Sequence, residues 1–190
     1  MMMRLKCNGN IMLLIQDHQK LMKMLVDIKE YKRVVVKVGS STLTGKAGAN
    51  IDLAAINSLV DSVAKLHRDG KEVVLVSSGA IAAGLAPLGL KTRPTDLTSQ
   101  QAAASVGQGL LMARYTDSFN RFKITTSQIL ITLDDITNTA HFENIKEVVN
   151  SLLKLKVVPV INENDTVGTE EIRYGDNDGL AALSYQTSWS

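Results

Sequence analysis

A layered α/β fold with a mainly parallel central sheet is what this sequence predicts. Three observations carry the prediction. Short β-branched apolar runs recur at residues 34–36, 73–76, 129–131 and 157–161. Stretches with helical periodicity separate them, the alternation that parallel strands joined by crossover helices require. The runs also give way abruptly to small or polar residues: Gly39-Ser40-Ser41, Ser77-Ser78-Gly79-Ala80 and Asn162-Glu163-Asn164-Asp165. In an open parallel sheet, residues in that position line the crevice beyond the carboxyl ends of the strands.

The elements follow in order from residue 33. Residues 34–36 make a short strand that Lys37 and Val38 complete. Residues 51–68 read as a helix, with Ile56, Leu59 or Val60, Val63 and Leu66 on one face. Asp69-Gly70 stops it, because glycine accepts positive φ. A second buried strand covers residues 73–76, and a small-residue helix runs to Pro87. Asp96 or Thr98 caps a long helix that ends near Phe122, with Leu111, Tyr115, Phe119 and Phe122 along one side. Residues 125–132 form a third strand with Ile129, Leu130 and Ile131 inside. Asn138 or Thr139 caps a helix carrying Phe142, Ile145, Val149 and Leu152, and the strand from Val157 closes the series. Pro159 sits awkwardly there, since it donates nothing to a ladder; a local bulge or an unpaired position would admit it.

The first thirty residues stand apart. The apolar run at 11–15 is too short to span a bilayer, and no small-residue cleavage site follows it. Residues 12–28 are loosely amphipathic, with Leu14, Leu21, Leu25 and Ile28 sharing a face. Two origins fit: an added helix, or translation assigned from too early a start.

Composition bounds the function. The chain has 190 residues, 45% hydrophobic and 21% charged, enough for one domain with a real core and inconsistent with disorder. With 21 basic and 19 acidic residues the net charge is +2, which makes no electrostatic case for a nucleic acid or a membrane as partner. The lone Cys7 forms neither an internal disulfide nor a zinc pattern, so a reducing cytoplasm is the expected compartment. His18, His67 and His141 are scattered without ligand spacing and read as surface helix residues; no metal site is expected.

The chemistry concentrates at strand ends. Lys37 beside Gly39 and Ser40 makes an anion site if the backbone N–H groups point outward; a solvated lysine at a strand end is the plainer alternative. Gly79 lets a ligand approach the backbone, and Ser78 gives or accepts a hydrogen bond, although a serine there also suits a helix N-cap. The third group is Asn162, Glu163, Asn164 and Asp165, followed by Gly175, Asp176, Asn177 and Asp178. Acidic and amide groups suit a small ligand carrying an amine or amide, or a metal-bound phosphate; turn chemistry alone is the competing reading. No G-x-x-x-x-G-K-[ST] and no G-x-G-x-x-G after a strand occurs, which disfavours a Walker A loop and a dinucleotide site.

The strings V-V-V-K-V-G-S-S-T-L-T, S-S-G-A-I-A-A-G, V-P-V-I-N-E-N-D-T-V and G-D-N-D, with Q-Q-A-A-A-S-V-G-Q between them, resemble the glutamate 5-kinases of the amino acid kinase family. The kinase domain of the fused, two-activity synthase of proline formation is similar too. The resemblance runs from about residue 34 to about 183. It implies a three-layer sandwich and phosphoryl transfer from ATP to the side-chain carboxylate of L-glutamate, the first step of proline synthesis. On that resemblance Lys37 matches the catalytic lysine, and Lys37, Gly39 and Ser40 form the phosphate side. Ser78, Gly79, Asn162, Asp165, Asp176 and Asn177 form the glutamate side, and Asp178 orients the catalytic lysines. The substrate carboxylate is already ionised at neutral pH, so no base is needed. Magnesium arrives with ATP, held by phosphates and water. Proline is expected as feedback inhibitor, and a homo-oligomer is compatible.

The chain departs from the family pattern at its end. The half that supplies the adenine pocket and a second lysine in a K-G-G motif has no counterpart after G-D-N-D, and residues 185–190 carry no family likeness. The expected organisation is therefore an extension at 1–30, a glutamate-binding kinase part at 31–184 and an unrelated tail at 185–190. On this reading the fold is C-terminally incomplete, and the chain alone has little or no kinase activity. The alternatives are a non-catalytic regulator that binds glutamate or proline, or a family kinase acting on another carboxylate or on carbamate.

Overall fold

Three of the four β-branched runs form the middle of one sheet and the fourth its edge, and the amphipathic stretches cover it on both faces. The structure, a computed structural model, describes residues 4–7, 10–15, 30–44 and 50–168. Strands β1 (Arg4–Cys7), β2 (Asn10–Ile15), β3 (Arg33–Val38), β4 (Glu72–Ser77), β5 (Thr126–Ile131) and β6 (Val158–Glu163) lie in the order β1-β2-β3-β4-β6-β5. β1 is antiparallel to β2, and every other neighbouring pair is parallel. The helices are α1 (Ser40–Leu43), α2 (Leu53–Arg68), α3 (Ala80–Leu85), α4 (Leu97–Asn120), α5 (Leu133–Thr137) and α6 (Thr139–Lys154).

Strand alternation sends side chains to two separate cores. On one face Val34, Val36 and Leu75 meet Ile56, Leu59 and Val63 of α2 and Leu111, Tyr115 and Phe119 of α4. On the other, Val35, Val74, Val76 and Ile161 meet Val149 and Leu153 of α6. Helix, sheet and helix make the expected three-layer sandwich.

The helix caps choose between the sequence alternatives. Asp96 accepts from the Ser99 N–H at 2.8 Å, and Asn138 accepts from the N–H groups of Ala140 and His141. Asp52 caps α2 by accepting from Ala54 and Ala55, so that helix starts two residues later than its periodicity suggested. Gly70 ends it at φ 81°.

α3 and α4 meet backbone to backbone. A Cβ on Gly84 would lie 1.9 Å from the Ala103 carbonyl oxygen, and one on Gly107 would lie 1.8 Å from that of Ala80. Only glycine fits at either point, and this seam fixes where α3, and the turn before it, sit relative to α4.

Three expectations change. The helix over residues 12–28 does not form at its start: residues 12–15 belong to β2, which pairs in parallel with β3 and buries Ile11, Met12 and Leu13. Five consecutive apolar residues bury both faces of a strand better than the single stripe of a helix. Residues 16–29 lie outside the described residues. β5 is an edge strand, so of Ile129, Leu130 and Ile131 only Ile131 is buried. The strand after Val157 closes the series in sequence only; in space β6 inserts between β4 and β5.

That insertion also accounts for Pro159. The N–H groups of Val158 and Asn164 both donate to the β5 side, to Thr125 and Ile131. Alternation therefore turns the Pro159 nitrogen toward β4, where pairing begins only at Val160. The missing donor falls just before the ladder starts.

Candidate functional site

Because the central strands are parallel, their carboxyl ends share one edge. Lys37, Val76, Ile161 and Ile129 form one row across β3, β4, β6 and β5. Just beyond that row every central strand turns polar or small: Gly39 and Ser40 after β3, Ser77, Ser78 and Gly79 at β4, and Asn162 to Asp165 at β6.

Lys37 is 6% exposed, so it is no solvated strand-end lysine. Alternation puts it on the face of Val35, Val76 and Ile161, the α6 side. Gly39 has an extended backbone (φ −80°, ψ 160°) that any residue accepts, and a Cβ there would meet only Ser41 Oγ, at 4.0 Å. Glycine at that point leaves open space beside the lysine. Ser40 starts α1 and is exposed.

At β4, Ser78 donates its N–H to the Val38 carbonyl at 3.1 Å, which ties the two strand ends together. Gly79, at φ 104°, is the N-cap of α3 and no side chain caps that helix, so Ser78 is not the capping serine. At β6, Asn162 is 2% exposed and donates through Nδ2 to Gln108 Oε1 at 2.8 Å. Asp165 is half-buried, in a turn closed by Val167 N–H to the Asn164 carbonyl. Lys37, Ser78, Asn162 and Asp165 each make at least one further interaction.

The edge is shared, but the faces are not. Lys37 leaves the sheet on the α6 side, whereas Ser77 and Asn162 leave it toward α4. Ser78 and Asp165 lie past the last paired residues of their strands. Asp176, Asn177 and Asp178 lie outside the described residues.

Reading the sequence missed the part played by α4. Gln101 Nε2 donates to the Gly168 carbonyl at 2.9 Å, Gln108 accepts from Asn162, and Tyr115 O–H meets Ser77 Oγ at 2.8 Å. These three residues are seven apart, so they form one line down the helix. Each reaches a different segment of the edge. The available signal was three hydrogen-bonding side chains at two-turn spacing in a helix otherwise rich in Ala, Gly and Leu.

Burial and charge act together at the end of β6. Partial burial holds the Glu163 carboxyl above its ordinary value, and the charge of Asp165 pushes it the same way. Across the edge, the Asp135 carboxylate is held low by the N–H and the hydroxyl of Thr132, which it accepts from in a capping box at the end of β5. Among the described residues no three His, Cys, Asp or Glu side chains gather as a metal cage. No helix among them is long and apolar enough to cross a membrane.

A parallel α/β sandwich with polar groups gathered beyond its strand ends is a small-ligand-binding architecture. The chain belongs to the amino acid kinase family, whose model matches residues 32–184. It is 59% identical over 152 residues to a glutamate 5-kinase of Salinispora arenicola, covering 80% of this chain and 41% of that protein. It is 58% identical over 156 residues to a glutamate 5-kinase of Streptomyces coelicolor, covering 82% and 41%. The chain thus spans about two fifths of the length of these curated relatives. Among solved structures it resembles a UMP kinase from Ureaplasma parvum, with TM-score 0.52 and 19% identity over 84% of this chain and 65% of that one. That likeness speaks to the fold.

Proposed function

We propose that this chain forms the glutamate-binding part of an ATP-dependent kinase that converts L-glutamate to L-glutamyl 5-phosphate, the first step of proline synthesis in the cytoplasm. The observation that carries the reading is the common edge of Lys37, Ser78, Gly79, Asn162 and Asp165, in a chain 57–59% identical to glutamate 5-kinases over four fifths of its length.

Each residue has a job suited to its chemistry. Asp165 pairs with the substrate ammonium, and Asn162 and Ser78 hydrogen-bond its polar groups. Gly79, with no side chain at φ 104°, lets the substrate carboxylate approach the backbone. Lys37, poorly solvated at the end of β3, stabilises negative charge on the transferring phosphoryl group. The space beside Gly39 fits phosphate oxygens. ATP, with its magnesium, supplies the phosphoryl group. Asp176 and Asn177 complete the glutamate pocket, and Asp178 orients the catalytic lysines. Proline, which shares the α-ammonium and α-carboxylate of glutamate, competes at the glutamate region as feedback inhibitor.

The test has two arms. Calorimetry of the chain with L-glutamate and with proline reads the pocket, and hydroxylamine trapping of acyl phosphate in the presence of ATP reads turnover. Saturable glutamate binding that proline competes away supports the reading. No binding of L-glutamate at millimolar concentration rejects it.

A further inference from the structure

A hydrogen-bonded chain runs from the core to the candidate pocket. Ser77 Oγ donates to the Ser78 carbonyl at 3.1 Å. A hydroxyl has one proton, so the 2.8 Å contact with Tyr115 runs the other way, with the phenol donating to Ser77 Oγ. Tyr115 is fully buried on the α4 face, packed among the residues of that core. Burial pushes its phenol far above the usual range, so it stays a proton donor.

The end of this chain is the peptide bond between Ser78 and Gly79. Its carbonyl is drawn toward α4 by Ser77. In a trans peptide the N–H points opposite to the carbonyl, so the Gly79 N–H is directed away from α4. That is the side on which Lys37 leaves the sheet. The residue before is pinned by its own N–H to Val38. A hydroxyl pair buried in an apolar core costs free energy unless both groups are bonded, and phenylalanine with alanine would leave the apolar packing of that core largely intact. The pair stands where the core touches the edge.

We propose that Tyr115 is a positioning residue, acting through Ser77, that sets the orientation of the Ser78–Gly79 peptide and so aims the Gly79 N–H at the bound substrate. This deepens the glutamate-site reading and rests on it for the identity of the substrate.

Tyr115→Phe and Ser77→Ala, singly and together, test it in the 190-residue chain. Tyr115→Phe keeps the ring and with it the core packing. The Gly79 amide resonance in NMR spectra reports the peptide directly, and calorimetry reports L-glutamate binding. Each single variant moves the Gly79 resonance and weakens glutamate about fivefold to tenfold, the worth of one hydrogen bond. The double variant binds no more weakly than Ser77→Ala alone, because the two groups act in series. Ser77→Thr, which keeps a hydroxyl, restores the resonance. A Gly79 resonance unmoved by both single variants overturns the proposal, and so do losses that multiply in the double variant. Failure of the unaltered chain to bind glutamate overturns the functional reading instead, and the Gly79 resonance still decides the role of Tyr115.

Discussion

The long helix α4 works differently on two of its sides. Against α3 it is all surface and no chemistry: Gly107 admits the Ala80 carbonyl, and Gly84 of α3 admits the Ala103 carbonyl. Toward the sheet edge it is all direction: Gln101, Gln108 and Tyr115 each make one hydrogen bond to a different segment of that edge. The first side sets how close two helices come, and the second sets where backbone and side-chain groups point. Damage to the seam should therefore appear as lost stability, and damage to the line and the residues it holds as lost binding with the fold intact.

The largest effect belongs to the seam. In Gly107→Ala the new methyl would overlap the Ala80 carbonyl oxygen, and two helix backbones must separate to admit it. Overpacking of this kind costs about 3 kcal/mol or more. Chemical denaturation should show it as a lower midpoint with an unchanged slope. A variant as stable as the parent would mean that α3 shifts freely, and the contrast between the two sides of α4 would dissolve.

The next effects belong to the edge. Asp165→Ala should weaken L-glutamate about tenfold to hundredfold, the range for losing one side of a charge-assisted pair, with little change in the unfolding midpoint. In a chain completed with the nucleotide half, Lys37→Ala should do the reverse, lowering turnover about hundredfold while glutamate binding changes little. The opposite assignment of losses would show that the two residues have exchanged jobs. Gln101→Leu removes only the anchor on Gly168, beyond the turn that carries Asp165. About threefold weaker glutamate binding is expected from one half-buried hydrogen bond.

Much of this was legible before any coordinates, for a physical reason. Periodicity and β-branching report burial, so residues 34–38, 73–76 and 157–161 announced themselves as strands, and Asp96 or Thr98 and Asn138 or Thr139 as caps. The strand-end residues were legible because a parallel sheet puts all its carboxyl ends on one edge. Strand order was not legible. Nothing local in Ile129-Leu130-Ile131 says that β6 will insert inside β5 and leave it at the edge, half covered. The run at 11–15 has the same ambiguity: short apolar runs suit a strand or a helix, and the open side of β3 decides. Tyr115 read as one more apolar position on a helix face, because its ring is in the core and only its hydroxyl reaches the edge. A residue's place in a pattern reveals which way it faces, but not which polar atom it meets there.

The last effect is the most diagnostic, because it carries a sign. Glu163 ends β6, next to the turn that carries Asp165. Burial first, and then the Asp165 charge, hold its carboxyl above the ordinary range. The folded chain therefore keeps this proton to higher pH than the unfolded chain does. The stability Glu163 contributes is fully present below the unfolded value, near pH 4.5, and is lost as pH rises through the folded value. Glu163→Gln cannot ionise and escapes that loss. Its unfolding midpoint should exceed that of the parent at pH 7, by the equivalent of no more than about 1 kcal/mol for a half-buried site, and the gap should close on acidification. Asp165→Ala should narrow the gap as well, since it removes the second of the two causes. A substrate ammonium docked beside Asp165 would offset the same repulsion, so glutamate binding should release a proton in the window where Glu163 titrates and tighten as pH rises through it. A gap that holds constant from pH 4 to pH 7 would mean that the carboxylate and the Asp165 turn do not sense each other, and would separate the end of β6 from the pocket that α4 holds in place.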